Sequence, residues 1–371
     1  MEIEIPYFSF NKAPKTLRDE WKVAITNVIE QGQFIGGESV ENFENQWANA
    51  IGISHAVGVG NGLDGLSIAL NVLGIGEGKT VAVPAHTFIA SWLAIKLAGA
   101  TPIGIDVDKN GLLDLEELFS LGELPDAVMP VHLHGAMVDM PILSTWAKEN
   151  GVKVIEDASQ AHFALTRSKY AGTWSDAGVF SLYPSKNLGA IGDAGIITFQ
   201  NQEHTNLAKS IRSYGSDINN KYFHKIPGVN SRLDSIQAAV LMVNLKYLSE
   251  WNSHRILLGK IYSEILSKEF HILQSDKLNS VRHHFPILVN EPIKVSKYLL
   301  ENGVGTERHY PEVAANTYSK FYNQKPITYK NAQDITQRVI SLPISQWHTE
   351  LEIEKVCKIL KRGLDTGKIK L

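Results

Sequence analysis

The tightest constraint on this chain is a rhythm in its first 200 residues. Short apolar, β-branched runs alternate with helix-like stretches. HAVGV, starting at His55, leads to LDGLSIALNVLG, and TVAVPAH, starting at Thr80, leads to FIASWLAIKLAG. TPIGIDVD, DAVMPVHLHG and VKVIEDAS follow, with PILSTWAKEN between the last two. Strands separated by helices return to the same end of a sheet, so the pattern predicts an α/β fold with a mainly parallel sheet between helices. Two helical stretches, Thr16 to Gln31 and Glu38 to Ala50, precede it, and GVFSLYPS and AGIITFQN read as neighbouring strands around a loop.

A chain of 371 residues exceeds what one compact core usually holds. The segment from Ser231 to Glu250 reads as one long helix connecting two domains, which places a large domain at 1–245 and a smaller α+β domain at 246–371. The net charge of −3 gives no basic surface for nucleic acid. Cys357 is the only cysteine, so no internal disulfide can form, and no run of 18 apolar residues suits a membrane helix. With no secretory pattern at the N-terminus, a cytoplasmic protein is expected.

In an open parallel sheet, ligands gather at the carboxyl ends of the strands. Here those ends are polar or glycine-rich at Asn61 to Gly65, Pro84 to Phe88, His132 to Gly135 and Asp157 to Gln160. Gly60-Asn61-Gly62-Leu63-Asp64-Gly65 fits G-x-G-x-x-G between a strand and a helix, where backbone amides can cradle a phosphate. A nicotinamide site also needs an acid at the end of the next strand, and that strand ends in Pro84-Ala85-His86-Thr87. A phosphate site therefore stands and a dinucleotide site does not. Asp157 closes an apolar strand, where a carboxylate can keep a pyridine nitrogen protonated. Lys186 sits in a loop of small residues, and a Schiff-base lysine needs burial to lower its pKa. Each residue alone has a plainer reading, as a helix cap or a surface lysine. Their convergence carries the argument.

In order along the chain, GNGLDGL, VPAHTFIAS, PVHLHG, IEDASQAH, SLYPSKNLGAIGDAGII, RSYGS, GVNSRLDSIQAA, RHYP and SLPIS resemble the motifs of the DegT/StrS-type sugar-nucleotide aminotransferases. Those enzymes have the aspartate aminotransferase fold (pyridoxal phosphate fold type I). The resemblance implies a seven-stranded sheet and pyridoxal 5′-phosphate held as a Schiff base by Lys186. It implies Asp157 facing the ring nitrogen, Gln160 near the ring hydroxyl and Phe88 stacked on the ring. It assigns the phosphate to Ser181 and the amides of Gly62 and Leu63, and it gives Asn230 a reach to the partner subunit's cofactor, hence a homodimer with shared active sites. Lys186 argues against the dehydratase branch, which carries histidine there. Tyr183, Tyr214, Tyr222, His309 and Tyr310, with His86 and His134, fall on the sugar side. The tract Arg212 to Ser216, with Lys221-Tyr222, and the Tyr before Pro184 resemble the C-3 aminating branch. That branch implies a dTDP-linked 3-keto-6-deoxyhexose as acceptor, glutamate as donor, 2-oxoglutarate as co-product and a role in surface-glycan synthesis. A UDP-4-keto sugar, a non-catalytic sensor and a nicotinamide dehydrogenase are the alternatives.

Several residues have plainer expectations. His132 and His134, two apart on a strand end, are expected to face the same side and line the sugar–cofactor cleft, without the further ligands a metal needs. His283 and His284 are expected at the start of a strand of the smaller domain. Trp21, Trp47 and Trp92 are expected in the core or an interface, and Lys361-Arg362 at a solvated helix end.

Overall fold

The computed structural model describes residues 3–217, 220–274 and 278–370. The chain begins with two helices, α1 (Lys15–Gln31) and α2 (Glu38–Ile51), each stopped by a left-handed glycine, Gly32 and Gly52. Strands and helices then alternate: β1 (His55–Val59), α3 (Gly62–Val72), β2 (Thr80–Pro84), α4 (Ile89–Leu97), β3 (Thr101–Ile105), α5 (Leu115–Phe119), β4 (Ala127–Val128), α6 (Met140–Asn150) and β5 (Lys153–Asp157). A small hairpin, β6 (Leu165–Thr166) and β7 (Lys169–Tyr170), leads to β8 (Ala177–Ser181) and β9 (Gly195–Phe199).

The large sheet has seven strands in the order β1-β9-β8-β5-β4-β2-β3. Only β9 runs against its neighbours, β8 and β1. The expected mainly parallel seven-stranded sheet is therefore present. Along β5 and β9 successive side chains enter different cores. Val154 and Ile196 join one that includes Trp47 of α2 and Leu143 of α6, while Ile155 and Ile197 join one that includes Leu66 of α3 and Trp92 of α4. Both faces are covered, which is why these strands read as continuous apolar runs. Trp21, Trp47 and Trp92 are all buried.

Next come α7 (Gln202–Ile211), the short pair β10 (Ser216–Asp217) and β11 (Asn220–His224), α8 (Ser235–Leu245) and α9 (Leu248–Leu266). The single helix expected over Ser231 to Glu250 is in fact two. Tight bonds from Lys246 N to Val243 O and from Tyr247 N to Asn244 O break the ladder. The buried Asn244 side chain is committed elsewhere: it accepts from Trp21 Nε1 at 2.7 Å and donates to Gly189 O at 2.7 Å.

The rest forms a three-stranded antiparallel sheet, β12 (His271–Ile272), β13 (Phe285–Leu288) and β14 (Val339–Leu342), with α10 (Pro292–Glu301), α11 (Ala314–Phe321), α12 (Lys330–Arg338) and α13 (Glu350–Asp365). Its core joins Tyr262 of α9, Phe285, Leu299 and Leu360. A Thr349/Glu352 capping box opens α13. Two pieces cross over. Ile5 packs into this smaller core, while Val313, Ala315 and Ile335 pack against the large sheet's core. Among the described residues, no helix is long and apolar enough to cross a membrane.

Candidate active site

The carboxyl ends of the parallel strands meet in a cleft of about 370 Å³, within the usual range for small-ligand sites. Asp157 ends β5 there and is buried. Its Oδ2 accepts from Ser91 Oγ of α4 at 2.7 Å and its Oδ1 from Ser159 N at 3.2 Å. Three residues on, Gln160 Oε1 accepts from His134 N at 2.6 Å, and its Nε2 donates to Tyr310 Oη at 2.9 Å.

Lys186 sits in the loop between β8 and β9, in a turn closed by its own N–H to Tyr183 O at 2.9 Å. Burial pushes its ammonium down from 10.5 to about 8, against the opposing pull of Asp157. A lysine so placed is neutral far more often near physiological pH than one in water. The next residue, Asn187, anchors the loop by donating to Asn252 Oδ1 at 2.8 Å and to Val281 O at 3.0 Å.

Asn61 caps α3, its Oδ1 accepting from Asp64 N at 2.9 Å. The amides of Gly62 and Leu63 belong to the first helical turn, which has no intrahelical acceptors and favours an anion. Gly62 is required by a close approach: a Cβ there would meet Ser181 Cβ at 2.9 Å. The Ser181 hydroxyl and these amides thus line one end of the cleft.

The facing wall comes from distant segments. His283 and His284 stand just before β13, as expected, but they also line the cleft beside His309 and Tyr310. The His284 and His309 rings stack at 3.8 Å and 13°, and His283 lies 4.0 Å from His284. Burial lowers all three imidazoles, His309 to about 3, and the Lys186 charge lowers each of them further. This wall is therefore polar but uncharged near neutral pH. Tyr310 is likewise held protonated by burial.

Phe88 and Tyr183 are exposed and line the cleft, with Phe88 5.5 Å from the Tyr310 ring. Other expected site residues lie elsewhere. His86 is buried behind Tyr310, sharing a hydrogen bond with Thr336 Oγ1 at 3.2 Å. The expectation that His132 and His134 share a face does not hold. Leu133–Gly135 is a 3-10 turn in which His134 adopts φ 59°, so the two rings diverge. His132 bonds the buried Glu156 at 2.9 Å, His134 meets His284 at 3.1 Å, and neither lines the cleft. His134 instead orients Gln160 through its backbone. Tyr214, Tyr222 and Asn230 are exposed on an arm described at 213–217 and 220–231, outside the cleft of a single chain. Among the described residues, no three His, Cys, Asp or Glu groups converge as metal ligands.

Sequence reasoning missed Ser91, Ser159, His283 and His284. Ser159 lay in plain view within the IEDASQ run. The histidine pair shows only a strand start, because its contact with the cleft depends on how the smaller sheet folds back.

Comparison with known proteins adds to this geometry. The model of the DegT/DnrJ/EryC1/StrS aminotransferase family matches residues 15–361. The dTDP-3-amino-3,6-dideoxy-alpha-D-galactopyranose transaminase of Aneurinibacillus thermoaerophilus is 36% identical over 364 residues, 96% of this chain and 99% of that protein. The crystal structure of Streptomyces venezuelae DesV in complex with a ketimine intermediate superposes with a TM-score of 0.92 at 34% identity, covering 96% of this chain and 98% of that one. That of NtdA from Bacillus subtilis with bound cofactor PMP gives 0.88 at 26% identity, covering 97% and 86%. Further relatives are named for UDP- and GDP-linked sugars. The chain belongs to the DegT/DnrJ/EryC1/StrS aminotransferase family and is a pyridoxal phosphate-dependent sugar-nucleotide aminotransferase.

Proposed function

We propose that this enzyme transfers the amino group of glutamate to C-3 of a dTDP-linked 3-keto-6-deoxyhexose, in a pathway to a surface glycan. The observation that carries the site reading is Lys186, half-buried and lowered to about 8, in one cleft with Asp157 and the glycine-lined helix start. The similarity to a dTDP-3-amino-3,6-dideoxy-galactose transaminase supports the sugar.

The residues fit pyridoxal phosphate. The first turn of α3 and Ser181 offer an anion cradle that a side chain at Gly62 would fill. When bound, the cofactor supplies an aldehyde carbon to carry nitrogen and a ring that stores electrons when its nitrogen is protonated. In this reading Asp157, fixed by Ser91 and Ser159, keeps that proton in place. Gln160 and Phe88 orient the ring. Lys186 holds the cofactor and, once free and neutral, moves the proton at the substrate carbon in both half-reactions. His309, Tyr310 and Tyr183 receive the sugar through hydrogen bonds without charge, which suits a deoxyhexose.

Asn230, with Tyr214 and Tyr222, completes the site of a partner subunit in a homodimer. Phe34, Ile35, Tyr222, Phe223 and Val229 are exposed, and contact with a second copy would cover them. Residues 1–245 and 246–371 form the two domains, meeting at the turn between α8 and α9. The experiment is to give the holoenzyme and glutamate 3-keto and 4-keto sugars on dTDP and UDP, and to locate the new amine by NMR. Amination at C-3 of the dTDP sugar is expected, and preference for a UDP-4-keto sugar would refute this assignment.

A further inference from the structure

β1 is an edge strand, paired on one side with β9. In such a ladder alternate residues turn their backbone groups away from the partner strand. Gly58 is one of these, and side chains meet it where another strand would lie. Its N–H donates to Glu44 Oε1 at 2.8 Å, and its carbonyl accepts from the Arg212 guanidinium. Glu44 and Arg212 also pair with each other at 2.6 Å, with only 5% and 14% of their side chains exposed. Carboxylate and guanidinium thus replace the acceptor and donor of a neighbouring peptide. Two residues on, Gly60 N donates to Ser231 Oγ at 3.0 Å.

An edge can be covered more cheaply. A buried ion pair is often no more stabilising than apolar residues of similar size, so its position matters more than its strength. On one side it holds the strand that runs directly into Gly60, Asn61 and the amides of Gly62 and Leu63. On the other, Arg212 stands at the base of the exposed arm. Ser231 N donates to Arg212 O at 2.9 Å, Val229 N to Ile211 O at 2.7 Å, and Ser213 bridges Asn230. Arg212 itself does not line the cleft.

We propose that Arg212, paired with Glu44, is a positioning residue for the cofactor phosphate: it locks the Gly60–Leu63 turn to the base of the 213–231 arm, so that arm placement and phosphate affinity are set together. The inference rests on the reading of that turn as the phosphate site. By linkage, whatever steadies the arm tightens phosphate binding, and the reverse.

The test compares the affinity of apoprotein for pyridoxal phosphate and for pyridoxal, which lacks the phosphate, at matched oligomeric state by sedimentation. Arg212→Met and the double variant Glu44→Gln/Arg212→Met, which leaves no buried carboxylate and frees only the half-exposed Lys209 at 3.7 Å from Glu44, are expected to weaken pyridoxal phosphate binding about tenfold while pyridoxal binding holds. Arg212→Lys, which returns a cationic donor to the Gly58 carbonyl, is expected to recover part of the loss. Gly62→Ala serves as the control for the site, since its methyl enters the cradle. If Gly62→Ala erases the preference for the phosphorylated form and the Arg212 variants keep it, the positioning role is overturned alone. If neither changes it, the phosphate binds elsewhere and both readings fail. Equal loss of affinity for both ligands in the Arg212 variants would mark a structural role and also overturn the proposal.

Discussion

The two walls of the cleft are built in opposite ways. The wall on the large sheet carries the charge: Asp157 at a strand end, Lys186 in the loop after the neighbouring strand β8, and the partial positive end of α3. Its members lie close in sequence to regular elements. The opposite wall gathers His283, His284, His309 and Tyr310 from separate segments, and burial keeps it neutral. Charge on one side and neutral hydrogen-bonding groups on the other is a division of labour. On the proposed reading the first wall serves a charged cofactor and proton transfer in both half-reactions. On the same reading the second serves one substrate, the sugar.

Variants can break or sharpen that division. Lys186→Ala removes the group proposed to move the proton and is expected to lower turnover about a thousandfold or more in both half-reactions, read by single-turnover absorbance. Asp157→Asn keeps the size of the side chain but not its charge. It should slow both half-reactions about a hundredfold. His309→Ala is expected to act unequally, raising KM for the keto sugar about tenfold with a much smaller change in the glutamate half-reaction. An equal loss in both would erase the distinction between the walls.

The smallest effect is on stability. Lys186 has a folded pKa of about 8 against 10.5 in the unfolded chain, so the unfolded state binds more protons between those values and stability rises with pH across them. Below about pH 8 the apoprotein bears the full cost of a buried cation. Lys186→Met should therefore stabilise the apoprotein by about 1–2 kcal/mol at pH 7 in denaturant melts, allowing for partial exposure, and the gain should fade as pH approaches 10.5. A gain independent of pH would show that packing, not charge, is responsible.

The same contrast explains what could be read from sequence. The charged wall was legible because strand ends announce themselves. The run VIED stops at a carboxylate, and GNGLDG joins a strand to a helix. Lys186 gained meaning only from those neighbours. The neutral wall was not legible, since the stack of His284 on His309 joins residues that no local pattern relates. His132 and His134 misled for a related reason. Alternation suggests a strand, but the backbone turns at His134, and Glu156 captures His132. The break between α8 and α9 was hidden because helical periodicity continues through it. The cause, Asn244 bonding Trp21 and Gly189, is tertiary.

All of this depends on Lys186 being the residue that holds the cofactor. Borohydride reduction of the holoprotein, followed by peptide mapping, fixes the cofactor to whichever nitrogen carries it. The account predicts a single labelled peptide with the modification on Lys186. A label on any other lysine, or a cofactor-loaded protein that takes no label, would contradict it.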